Sequence, residues 1–158
     1  MTAQKFNARD VQFQVEDFLN PGTWVSVAPG SASSEGGITT FSRSREYETT
    51  DTTTFGSAGQ AENQIMQLGK TIKLEGFLLK DPLTGALDPG QALIEAQTER
   101  LGTDSQCGFR FWMPGDANWE VWAKATFQIG DTGGGNNDKV GWSVTVTRSG
   151  SSTTAVKV

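Results

Sequence analysis

The chain has 158 residues, one domain by the usual ~100–200 residues per domain, and enough to bury a core without disulfides or metal. Its 13 Lys and Arg against 18 Asp and Glu give a formal charge of −5, which argues against the basic face of a nucleic-acid reader. There is no His, which removes the usual neutral-pH general base and most zinc and iron sites, and the single Cys107 excludes an intrachain disulfide.

In chain order, Met1 to Phe6 is polar and no apolar stretch follows, so no secretory leader is expected. No apolar run approaches the ~20 residues of a membrane helix. These features predict a soluble protein made in the cytoplasm, with residues 1–9 as an N-terminal arm. Val11, Phe13 and Val15 then alternate with Gln12, Gln14 and Glu16, the period of a half-buried strand. The Asn20-Pro21-Gly22 turn leads into Trp24 to Val27. Ile72 and Leu74 oppose Lys73 and Glu75, and Phe109, Phe111 and Met113 form another inward set. The longest alternation sets Trp119, Val121, Ala123, Ala125, Phe127 and Ile129 against Glu120, Trp122, Lys124, Thr126 and Gln128. The last sets Val140, Trp142, Val144 and Val146 against Ser and Thr. Between these two lies a Gly- and Asn-rich stretch holding Asp131, Asn136, Asn137 and Asp138, the tip of a predicted antiparallel hairpin.

One helix is signalled, with Asp88 as N-cap, Pro89 at the first position and Gly102 just past the end. Leu93, Ile94, Gln97 and Leu101 share its predicted inner face. Residues 43–63 stand apart, because Thr favours extended backbone there yet almost nothing apolar is offered to a core. Their charged and aromatic members are Arg43, Arg45, Glu46, Tyr47, Glu48, Asp51, Phe55 and Glu62. This segment reads as a long functional loop. Residues 149–158 read as a mobile tail. The whole is a single domain, 1–158, mainly β.

The chemistry-bearing patterns are sparse. Gly69-Lys70-Thr71 lacks the first Gly of a phosphate-binding loop, with Gln64 in its place, and reads as a strand entry. Asp81 reads as a turn opener and Asp88 as a cap rather than as calcium ligands. Cys107 has no His to activate it and reads as a small buried residue. No catalytic residue, metal or cofactor is expected. Trp119 and Trp142 fall in the apolar phase of their strands, whereas Trp112 and Trp122 fall in the polar phase. Those two are the predicted exposed aromatics, suited to a protein interface or, alternatively, to a sugar-stacking β-sandwich.

Several segments in order carry a further signal. They are Gly37 to Ser42, Glu48 to Thr53 with Ala61-Glu62, Lys73 to Phe77, Asp81 to Gln91, and Gly134 to Asp138 ahead of Trp142 to Val146. Together they resemble the tail tube (major tail) proteins of long, flexible-tailed bacteriophages, over about Val11 to Gly150. The resemblance implies a β-sandwich or small barrel with one flanking α-helix and a long extended loop. It implies homo-oligomeric rings of six, stacked into a hollow tube through which phage DNA passes without specific binding. It also implies tape measure, terminator and distal tail proteins as partners, no membrane, no enzymatic activity and a place in the virion tail. A terminator or connector ring of the same fold is the alternative. On this reading residues 43–63 reach between rings, and Asp131 to Asp138 with both terminal segments make secondary contacts. Glu46, Glu48, Asp51, Lys73 and Glu75 are lumen candidates. Six copies at −5 each give −30 per ring, and a negative wall repels phosphates within roughly 8 Å at physiological salt.

Overall fold

The computed structural model describes residues 2–29 and 36–158; Met1 of the expected N-terminal arm lies outside the described residues. Among the described residues eight strands and one α-helix follow in order: β1 Gln12–Glu16, β2 Trp24–Ser26, β3 Ile38–Asp51, β4 Asn63–Phe77, α1 Pro89–Thr98, β5 Cys107–Trp112, β6 Asn118–Ile129, β7 Gly141–Arg148 and β8 Ser152–Val156. The pairings are antiparallel and join one sheet in the order β2-β1-β5-β6-β7-β4-β3, with β8 on β6 where β7 leaves it. The sheet curls until its ends approach. Phe41 of β3, the last strand, lies 5.3 Å ring to ring from Phe13 of β1 near the other end. This is the mainly β chain with one helix that the alternation and capping signals predict, in the small-barrel form that the resemblance implies as one of its two architectures.

The inner face follows from period-two alternation. Cross-strand rows such as Phe41–Leu74–Val144–Ile129 and Ile72–Val146–Phe127 fill the core. Phe109 packs against Phe13, Trp122 and Phe127, with centroids 5.8–6.4 Å apart. Helix α1 closes one open side of the curl, with Ile94, Gln91 and Gln97 buried beneath it. Both buried amides find partners, as burial demands. Gln91 accepts from the Leu79 N–H at 3.0 Å and donates to the Phe77 carbonyl at 2.9 Å. Gln97 donates to the Asp104 carbonyl at 2.7 Å. Asp88 caps the helix by accepting from the Gln91 N–H at 3.2 Å, and it ties down the end of β2 through the Ala28 N–H at 2.9 Å. A Cβ at Gly90 would collide with the Ser26 and Val27 backbone, so the helix start lies directly on the segment that follows β2.

Four expectations are corrected. The helix stops at Thr98, short of Gly102, so Leu101 is left exposed rather than on the inner face. Residues 43–63 are not a long loop. β3 runs to Asp51 and β4 starts at Asn63, so the segment is the outer half of a paired hairpin closed by residues 52–62. Thr favours extended backbone, and the ladder continues outward from the part of β3 and β4 that is anchored on β7. Residues 149–158 are not a free tail, since Thr153 to Val156 pair with the edge of β6 that β7 vacates. Finally, Trp122 is buried, not exposed. The pairing with β5 slips between Cys107↔Ala125 and Phe109↔Trp122, which inserts an extra residue in β6. Past the bulge the phase inverts, so Trp122 faces the core while Trp119 lies buried on the outer side.

Candidate assembly interface

The feature that the fold does not absorb is the β3–β4 ribbon. β4 pairs with β7 only along Thr71–Phe77, so residues 63–70 project beyond the body with β3 as their neighbouring strand. β3 is the last strand of the sheet, and its outer edge is unpaired over 14 residues among the described residues. Long free edges invite pairing with another chain, and an isolated two-stranded ribbon is marginal in water. The tip is nonetheless well made. The Thr52 N–H donates to the Glu62 carbonyl at 2.9 Å, and the Glu62 N–H donates to the Thr53 hydroxyl at 2.9 Å. Hydrogen bonds from the Thr53 hydroxyl and its backbone N–H (2.8 Å) hold the Asp51 carboxyl below the usual carboxylate range. Phe55 sits in a single helical turn at the very end, fully exposed.

Register sorts the predicted lumen residues onto two faces. Directly opposed residues share a face. The rows Ser42–Lys73–Thr145–Gln128 and Ser44–Thr71–Thr147–Thr126, with Thr40–Glu75–Ser143, make one continuous polar face across β3, β4, β7 and β6. Glu46 and Glu48 extend it along the ribbon, opposite Gly69 and Gln67. Its cation Lys73 is paired to Glu75 at 2.9 Å. Glu46, Glu48, Lys73 and Glu75 thus lie together. Asp51 does not, because it is in phase with Arg43, Arg45 and Tyr47 on the other side of β3.

The other side of the ribbon continues the core face. Arg43 lies over the Phe111 ring, 5.8 Å from its centroid. Arg45 stands directly opposite Lys70, a like-charge pair relieved by the Lys70–Glu120 ion pair at 3.4 Å. Beyond them the face turns apolar and uncovered: Tyr47 is 54% exposed, its partner Leu68 41% and Ile65 62%, with Met66 (59%) unpaired at the bulge between Ile65 and Gln67. Sequence reading passed over Ile65, Met66 and Leu68. The available signal was the apolar residues themselves, in a strand with nothing nearby in sequence to bury them. Arg148 braces the root of the ribbon by donating to the Leu68 carbonyl at 2.9 Å.

The remaining predicted residues lie elsewhere. Asp131, Asn136, Asn137 and Asp138 sit exposed in the β6–β7 turn, which the Gly141 N–H closes on the Gly133 carbonyl at 2.8 Å. Asp138 accepts from the Gly135 N–H at 3.1 Å. Trp112 is half-buried, its indole N–H donating to the Asp116 carbonyl at 2.7 Å, whereas the Trp122 indole N–H donates inward to Glu120 at 2.9 Å. With Trp122 in the core, the two-Trp sugar platform does not exist. Among the described residues no three His, Cys, Asp or Glu side chains are placed to hold a metal ion, and no helix is long and apolar enough to cross a membrane.

No protein family model and no curated protein matches this chain. Among solved structures it is similar to a chain from the tail of an empty gene transfer agent particle refined with C6 symmetry. The TM-score is 0.70 at 16% identity, covering 96% of this chain and 100% of that one. It is also similar to a chain of the native gene transfer agent virion, with TM-score 0.63 at 15% identity over 96% and 100%. A chain of the 6-fold symmetrised baseplate of the anti-feeding prophage gives TM-score 0.60 at 14% identity over 99% and 98%. This chain therefore shares its fold with chains of these phage-like tail, virion and baseplate assemblies.

Proposed function

We propose that this chain is a structural protein of a phage-like tail that assembles into six-membered rings stacked as a hollow tube. The observation that carries the reading is the projecting ribbon, with an unpaired 14-residue edge, one polar face and one uncovered apolar face. Lateral pairing of ribbons closes the sheet edge around a ring and leaves no free edge. A head-to-tail contact repeated by rotation closes such a ring, and a second contact stacks rings. The apolar side of the ribbon then packs on neighbouring copies and the polar side faces the channel. The C6 symmetry of the tail neighbour supports six copies per ring.

The channel wall fits a passage for DNA. Its Ser, Thr, Gln and Glu residues offer water-covered polar groups, and Lys73 is neutralised by Glu75. Among the described residues of these rows Lys73 is the one cation and it is paired, so phosphates meet little free positive charge along them. Other tail proteins close the two ends and set the length.

Negative-stain electron microscopy of concentrated protein, with light scattering of dilute protein, tests this reading. Hollow tubes of uniform width are expected; rings that never stack would favour an end-capping role, and a monomer at every concentration would refute assembly. Deleting Glu48–Gly59 should leave a folded monomer that forms no tubes.

A further inference from the structure

We propose that a cation–aromatic ladder on the outer face of the sheet receives the acidic ribbon tip of a second copy. This rests on the tube reading above. The Arg110 guanidinium lies between two indoles, 4.5 Å from the Trp24 centroid and 4.4 Å from that of Trp119. The Lys157 ammonium lies between Trp112 and Trp119, at 4.4 and 5.7 Å. The order along the face is Trp24, Arg110, Trp119, Lys157, Trp112, drawn from β2, β5, β6, the end of β8 and β5. The β6 bulge builds it, because it turns Trp119 outward. The Lys157 N–H bonds to the Ala117 carbonyl at 3.2 Å and fixes the last rung.

The ladder is electrically incomplete. Stacking engages the flat face of the Arg110 guanidinium and leaves its in-plane N–H groups free, and the tetrahedral Lys157 ammonium cannot turn all three N–H groups toward its rings. Arg110 donates from Nε to Gln14 at 2.7 Å. Among the described residues neither Arg110 nor Lys157 has a carboxylate within ion-pair reach. Glu16 is on the same face, packed against Gly108 at the Trp24 end, and pairs with neither. Burial pushes the Arg110 pKa down, the mark of a charge short of solvent. An incoming carboxylate gains from both cations.

The same chain carries the complement. The ribbon tip, residues 51–62, carries the acids Asp51 and Glu62 and no Lys or Arg. Phe55 stands exposed at the tip, ready to join a Trp-lined surface. The contact must come from another copy. β3 meets β1 and β5 through the core side, at Phe41–Phe13 and Arg43–Phe111, and the sheet separates that side from the ladder.

The test mixes two single-cysteine variants, Phe55→Cys on a tagged chain and Ala155→Cys on an untagged one, with a short bis-maleimide. Cys107 is buried, and the wild type serves as control. Tagged–untagged cross-links in tubes, absent from dilute monomers, are expected. In parallel, Lys157→Glu should raise the assembly threshold roughly tenfold, the factor that about 1.4 kcal/mol supplies, with a monomer that still folds by circular dichroism, while Lys157→Arg assembles normally. Tubes that form at the normal threshold with Lys157→Glu and give no cross-link overturn the ladder contact and leave the tube reading standing. A wild-type chain that never assembles overturns both.

Discussion

Replacing Ile65 by Thr separates assembly from folding. Ile65 is 62% exposed on the core-side face of the ribbon, opposite Thr49, so the single chain gains little from it. Full burial of an aliphatic side chain is worth about 1.5–3 kcal/mol, so covering the exposed share on assembly contributes about 1–2 kcal/mol. Thr keeps the β-branch and strand preference but trades apolar surface for a hydroxyl that must then be desolvated. The threshold concentration for tubes should therefore rise about 5–30-fold. The melting temperature of the dilute monomer should not move. Light scattering against concentration gives the threshold, circular dichroism the melt, and electron microscopy shows that tubes formed above the new threshold keep their width. Leu68→Thr should act in the same direction but less, because Leu68 is only 41% exposed. An unchanged threshold for Ile65→Thr would mean that this face stays open to solvent in the tube, and would refute the packing assigned to it.

Three further outcomes follow from other parts of the molecule. Glu46→Lys with Glu48→Lys should leave tubes intact but slow DNA passage, because both lie on the polar face with Lys73 already neutralised; ejection at the normal rate by particles carrying these tails would remove them from the channel wall. Trp122→Ala should cost about 3–5 kcal/mol of monomer stability by denaturant titration, since it empties the space against Phe109 and Phe111, whereas Trp112→Ala should cost far less. Burial, aided by the Glu16 carboxylate, pushes the Cys107 thiol up to about 11. The folded chain then keeps its proton in the window between about pH 8.5 and about 11 where the unfolded chain loses it, so stability falls as pH rises through that window. Cys107→Ala should flatten this part of the stability–pH curve, and an equal slope in both proteins would contradict the burial.

Local rules determined much of this protein from the sequence. Alternation gave the strands around Phe13, Ile72, Phe109 and Val144, because a half-buried strand repeats every two residues whatever its partner. The Asp88-Pro89 pair gave the helix start, since capping is decided within one turn. The missing His and lone Cys107 limited the chemistry by composition alone. Tertiary structure decided what depends on residues far apart in the chain. One extra residue in β6 inverted the phase, buried Trp122 and turned Trp119 out to Arg110, which no strand-by-strand alternation registers. Pairing between β3 and β4 made a ribbon of what read as a loop and placed Glu46 and Glu48 with Lys73 and Glu75. Side-chain facing follows register, register follows pairing, and pairing is a property of two segments rather than one.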